Sequence, residues 1–169
     1  MIKLKVKVKD TNNIPDLLKR LKEARSKKGK VGYPAGSKQE MIAAVHEYGA
    51  RIKVTDKMRG YLAAHGLHLR ASTSHIVIPE RSFLRTGADL AQHEIDAQAK
   101  LLIKHLFDGS LTAEGFLEEL ALILKGKIQE YAIDLNNPKN HPFTVEMKGS
   151  ENPLVDSGEL IEKMEVEVE

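Results

Sequence analysis

The chain has 169 residues, 30% of them Asp, Glu, Lys or Arg, with a net charge of +2 and no cysteine. This length supports one domain with a substantial hydrophobic core, and the lack of cysteine excludes a disulfide scaffold and any thiolate metal site. No apolar run approaches the roughly 20 residues of a membrane span.

The opening "MIKLKVKVK" alternates in polarity, whereas the core of a secretory signal is continuously apolar. The expected setting is therefore a reducing cytoplasm, with no membrane partner. Charge is unevenly distributed. Residues 1–38 carry twelve Lys or Arg against Asp10, Asp16 and Glu23, while residues 146–169 carry eight acids against Lys148 and Lys163. Opposite poles predict that the two ends meet within a chain, or head to tail between copies.

In chain order, Ile2, Leu4, Val6 and Val8 alternate with four lysines, the period of a half-buried strand. Ile14, Leu17, Leu18 and Leu21 then recur at helical spacing. A short strand over 30–33 follows in "KKGKVGYPAG". Ser37 and Glu40 make a capping box that opens a helix, and Gly49 is its expected C-cap. A strand over 51–54, a short helix over 57–64 and a strand over 75–78 come next, with Pro79 as the stop. Residues 51–78 read as a candidate insertion or extended arm in a single domain over 1–169.

A long helix is expected over 86–107, turned by Asp108 and Gly109, with Thr112 capping a second long helix. "NNPKNHP" reads as a loop and "FTVEM" as a candidate short strand. Asp156 is the expected cap of a last helical turn, with Glu159 reaching back to it. The final strand has Met164, Val166 and Val168 on one face and Glu165, Glu167 and Glu169 on the other. It is expected to pair with the opening strand, valines inward and Lys–Glu pairs outward. The expected fold is α+β: a small mixed sheet, containing the N- and C-terminal strands, packed against two long central helices.

Catalytic patterns are sparse. "VGYPAGSKQE" lacks the spacing of a phosphate loop, because Lys38 follows Ser37 instead of preceding it. His46-Glu47 has Ala50 where a zinc-protease helix places its second histidine. Ser157 has no nucleophile elbow around it. Glu146-Met147-Lys148 with Asp134 forms a fragment of a metal-dependent DNA-processing nuclease, one alternative function. The other alternative is nucleic-acid binding through the N-terminal lysines.

Three stretches, in order, resemble one family: "AAVHEYGARI" from Ala43, "IPERSFLRTG" from Ile78 and "NPLVDSGELIEKMEVEV" from Asn152. They are similar to the phage tail-completion or neck proteins, including the virion morphogenesis proteins of Mu-like phages. In that family the pieces read approximately "hEfGa", "IPaRpFlr" and "pLidTGqLr"; here Ser82 stands at the second proline-type position and Ser157 at the usual Thr. The resemblance implies a structural, non-enzymatic virion protein of the head–tail interface, assembled in the host cytoplasm. It further implies a homo-oligomeric ring of six touching tail terminator, tail tube or connector proteins, with DNA only passing through the channel and no cofactor or metal. The interaction residues that follow from it are Arg81, Phe83, Leu84, Arg85, Leu154, Asp156 and Leu160. Phe83 and Leu84, the large apolar residues of a polar loop, are expected to anchor that loop in a core or a subunit contact.

Overall fold

A computed structural model describes residues 13–169. The expectations for Ile2 to Lys9, including their pairing with the last strand, lie outside the described residues. The fold is α+β, with two long central helices packed on each other. These are α4 (Phe83–Asp108) and α5 (Ala113–Asp134), and their junction is dictated locally. Gly109 ends α4 at φ +82°, the Asp108 carboxylate accepts from Ser110 N at 2.8 Å, and Thr112 Oγ1 accepts from Gly115 N at 3.0 Å to open α5. So short a connection folds the second helix back along the first.

α1 (Ile14–Ser26) lies against this hairpin. Its Arg20 donates to Phe107 O at 3.0 Å, and Leu21 and Ala24 join buried Leu106, Ala113 and Phe116. Ile14 and Leu18, expected on the buried face, are exposed.

α2 (Lys38–Tyr48) is capped as its sequence predicts. Ser37 accepts from Glu40 N, and the Glu40 carboxylate accepts from Gly36 N. α3 (Asp56–Ala64) opens on the Thr55 hydroxyl. The expected single mixed sheet is divided into two antiparallel pairs. β1 (Gly29–Gly32) pairs with β4 (Glu165–Val168), and β2 (Ala50–Lys53) pairs with β3 (His75–Ile78). The division follows from packing: the β1–β4 ribbon lies on α5, whereas β2 and β3 are the two legs of a separate arm.

The alternation expected for the last strand is present, with Met164 buried, Val166 and Val168 half-buried and the glutamates exposed. Its partner among the described residues is β1, which brings together strands from the N- and C-terminal parts of the chain.

Two further expectations are corrected. "FTVEM" lies in α6 (Pro142–Lys148), not a strand, because Pro142 occupies the first turn, His141 caps Phe143 N and Gly149 at φ +71° closes the helix. These terminal signals outweigh the β-branched and aromatic content of the segment. α4 begins at Phe83, three residues before the expected start, so Phe83 and Leu84 form a helix N-terminus rather than a loop.

Where α4 meets α5, Gly87 allows the backbones to approach. A Cβ there would lie 2.8 Å from Ile128 Cα, a contact that backbone cannot yield without a shift. Gly126, exposed in α5, has nothing among the described residues within 4 Å of such a Cβ. Gly87→Ala is therefore expected to destabilise by about 1–3 kcal/mol through overpacking. Gly126→Ala is expected to stabilise by roughly 0.5–1 kcal/mol through helix propensity. Urea unfolding of the two variants against wild type measures both.

Candidate functional site

The C-terminus of α2 and the N-terminus of α4 are tied together across the base of the arm. Gly49 has φ +69°, and a Cβ there would lie 2.9 Å from Ile78 O and 3.0 Å from Glu80 N. Only glycine permits this crossing. The returning chain is held where Arg81 N donates to His46 O at 2.7 Å.

Glu47, 2% exposed, then acts as a cap supplied by another helix. Its carboxylate accepts from Leu84 N at 2.9 Å and from Arg85 N at 3.1 Å. Ser82, at the N-cap position of α4, makes no capping bond of its own, so the free N–H groups of the first turn find their acceptor on α2. Arg85 compensates the charge, donating from Nε to Glu47 Oε1 at 2.8 Å and from its terminal nitrogen to Glu47 O at 3.0 Å and Glu80 Oε1 at 2.6 Å. The Glu47 bond, followed by Glu80, raises the guanidinium pKa further above its ordinary value. The same guanidinium lies 5.1 Å from the ring centroid of exposed Tyr48.

Arg81, 4% exposed, faces the other way, toward the loop between α5 and α6. It donates to Pro138 O at 2.9 Å, Lys139 O at 3.2 Å, Asn140 Oδ1 at 3.2 Å and His46 Nδ1 at 3.4 Å. Burial pushes its guanidinium pKa downward. Burial, helped by the charges of Arg81 and Lys148, also lowers the His46 pKa to about 4. A neutral imidazole accepting from a guanidinium fits the His46 shift.

The closing segment completes the joint. Asn152 Oδ1 accepts from Leu154 N at 2.8 Å and Val155 N at 2.9 Å, forming an Asx turn. Lys148 Nζ donates to Asn152 O at 2.6 Å and Val155 O at 2.9 Å. Leu154, Leu160 and Met164 are thereby driven into one core with Phe83, Ala43 and Ile128, against which Leu84 packs. Gln39 reaches Glu159 at 3.0 Å, and the Tyr33 hydroxyl donates to Leu160 O at 2.6 Å.

Of the residues singled out in the sequence, Phe83, Leu84, Leu154 and Leu160 thus meet in the core, with Arg81 and Arg85 at its polar margin. Phe83 anchors the core of its own chain, the first of the two alternatives. Asp156 stands apart: it is exposed, and Gly158 at φ +88° precedes α7 (Glu159–Glu162), with Ser157 Oγ accepting from Glu159 N at 3.4 Å. The expected Asp156 cap is therefore displaced, and Glu159 turns to Gln39 instead of reaching back.

Glu47, His46 and Asn152 were not singled out as site residues, and Lys148 entered only the nuclease alternative. A glutamate two residues before the C-cap glycine, with two arginines four positions apart beyond the arm, was the available signal for the first of these. Asp134 and Glu146 line one groove of about 570 Å³. Lys148, however, sits on a helix and is committed to two carbonyls. Among the described residues no group of three or more His, Asp or Glu side chains is placed to hold a metal ion. Comparison of the chain with protein-family models, curated proteins and solved structures found no match.

Two outcomes test this joint. Phe83→Ala is expected to cost about 3–5 kcal/mol of unfolding free energy, because a fully buried aromatic side chain leaves a cavity. For His46, the folded pKa lies below the unfolded one, so the unfolded chain binds the extra proton between about pH 6.5 and about pH 4. This contribution is complete above pH 6.5 and is lost as pH falls through that window, at up to about 1.4 kcal/mol per pH unit. Subtracting the stability-versus-pH curve of His46→Gln from that of wild type isolates it.

Proposed function

We propose that this chain is a structural protein of the phage head–tail interface, acting in several copies as a ring that joins or closes tail and connector. The observation that carries this reading is the convergence of the three stretches on which the resemblance rests. They are far apart in sequence, yet Glu47 of the first caps the helix opened by the second, and Phe83 of the second shares a core with Leu154 and Leu160 of the third. A shared pattern that encodes one joint supports kinship of the framework more strongly than any single stretch.

The arm over residues 50–78 supports an assembly role. Among the described residues its strands pair with each other, and they do not pack broadly on the helical body. It also leaves Tyr61 and Val77 exposed. In a ring, such an extension meets a neighbour.

The test is genetic and biochemical. Deleting the coding sequence from the phage that carries it should leave full heads and unjoined tails, and the tagged chain, supplied in trans, should restore joining and copurify with virions in ring stoichiometry. Normal joining without the protein would overturn the reading. Divalent-metal-dependent DNA cleavage lost in Glu146→Gln would favour the nuclease alternative, whose support is the shared groove of Asp134 and Glu146.

A further inference from the structure

We infer that the arm of one copy docks on the β1–β4 ribbon of a second copy, with Val77 seated over Gly32. This contact rests on the proposed self-assembly and specifies its surfaces. Residues directly opposite in an antiparallel pair share a face. In the arm, the register Arg51↔Val77 and Lys53↔His75 puts those four side chains on one face, while Ala50, Ile52, Ile76 and Ile78 take the other. Val77 is 68% exposed, an apolar knob with Arg51 across from it and Lys53 on the diagonal.

The arm is also a firm platform. Arg59 donates to Leu69 O at 3.1 Å, Arg70 O at 3.0 Å and Thr73 O at 2.8 Å, binding α3 to the loop that leads into β3. Its charge is one-sided: Arg51, Lys53, Lys57, Arg59 and Arg70 stand against Asp56 alone.

The β1–β4 ribbon supplies the complement. Its inner face is closed, since a Cβ on Gly29 would lie 3.3 Å from Ala121 Cβ of α5. Its outer face carries Gly32 opposite Glu165 and Lys30 opposite Glu167. Among the described residues a Cβ on Gly32 would meet nothing within 4 Å, and beside it lies a groove of about 680 Å³ walled by Tyr33, Pro34, Glu165 and Glu167. Lys30 also lines this groove, opposite Glu167, but its ammonium is paired with Glu169, beside which Lys28 lies, so the two carboxylates nearest Gly32 outnumber the one cation there. Glu165 and Glu167 make no ion pair of their own among the described residues. The closing segment over 159–169 holds five glutamates against Lys163, opposite in sign to the arm.

A knob flanked by cations and a gap flanked by carboxylates match in shape and charge. Made in one direction from each copy to the next, the contact is heterologous and repeats around the assembly, as a ring requires.

The chain has no cysteine, so introduced thiols report without background. Val77→Cys and Gly32→Cys proteins, mixed at low salt under mild oxidation, should give a disulfide-linked dimer that neither variant forms alone. The yield should exceed by about tenfold that of a collision control pairing Val77→Cys with Leu122→Cys at an exposed position of α5, the ratio that 1.4 kcal/mol of preference produces.

Glu165→Lys with Glu167→Lys should abolish the excess, and Arg51→Glu with Lys53→Glu on the partner should restore it. Gly32→Leu, which the open space tolerates, should block docking of the otherwise wild-type chain while thermal stability is kept. A yield no higher than the control, or a dimer of Val77→Cys with itself, would overturn the contact. So would an internal disulfide in a Val6→Cys, Gly32→Cys chain with no mixed dimer, which would assign the groove to the chain's own opening residues. If the wild-type protein forms rings and the mixed pair fails, this contact alone falls. If the pair cross-links but virions lack the protein, the head–tail reading falls and the contact stands.

Discussion

The buried Glu47 carboxylate is the interaction on which the arrangement depends. It accepts two backbone N–H groups from the first turn of α4 and one side-chain bond from Arg85, so a charge that is costly to bury has its partners in place. The pair is weak evidence for stability, since apolar replacements of buried ion pairs often stabilise. Its value is positional. It sets where α4 starts relative to α2, and therefore where Phe83 enters the core and where the chain leaves for the arm. Removing one partner alone would strand the other, which is why the joint behaves as a unit.

From that joint the molecule extends in two directions. Inward, the α4–α5 hairpin carries the core, and the closing segment is clamped to it by Asn152, Lys148, Tyr33 and Gln39 rather than by a long strand. Outward, the β2–α3–β3 arm is stabilised by its own pairing and by Arg59. Core and arm are thus supported by different interactions, and a surface of the arm can be altered without disturbing the body. The same separation applies to the β1–β4 ribbon, whose inner face meets α5 and whose outer face is uncovered by the other described residues.

Several elements were legible in the sequence because their causes are local. Ser37 with Glu40, Gly49, Thr112, Asp108-Gly109 and the alternation of Met164 to Glu169 each state a cap, a turn or a strand face within a few residues. The candidate site was half legible. Phe83 and Leu84 stand out as large apolar residues in polar surroundings, whereas Leu154 and Leu160 were marked by the family resemblance alone. Phe83, Leu154 and Leu160 are buried in the core and Leu84 packs against it. Asp156 was misassigned because Ser157 and Gly158 supply a nearer start for the helical turn. "FTVEM" misled because its β-branched and aromatic residues sit between a proline and a glycine that define a helix.

By itself, the sequence determined the order and type of most elements, the two long helices, the capping residues and the polarity of the last strand. These follow from side-chain period and from backbone groups that seek partners three or four residues away. Only the tertiary structure decided that Glu47 caps a helix beginning thirty-six residues later, that Arg81 reaches a loop more than fifty residues on, and that the strands divide into two ribbons. Those outcomes depend on which surfaces remain after the long helices have packed. A charge pattern along the chain does not contain that information.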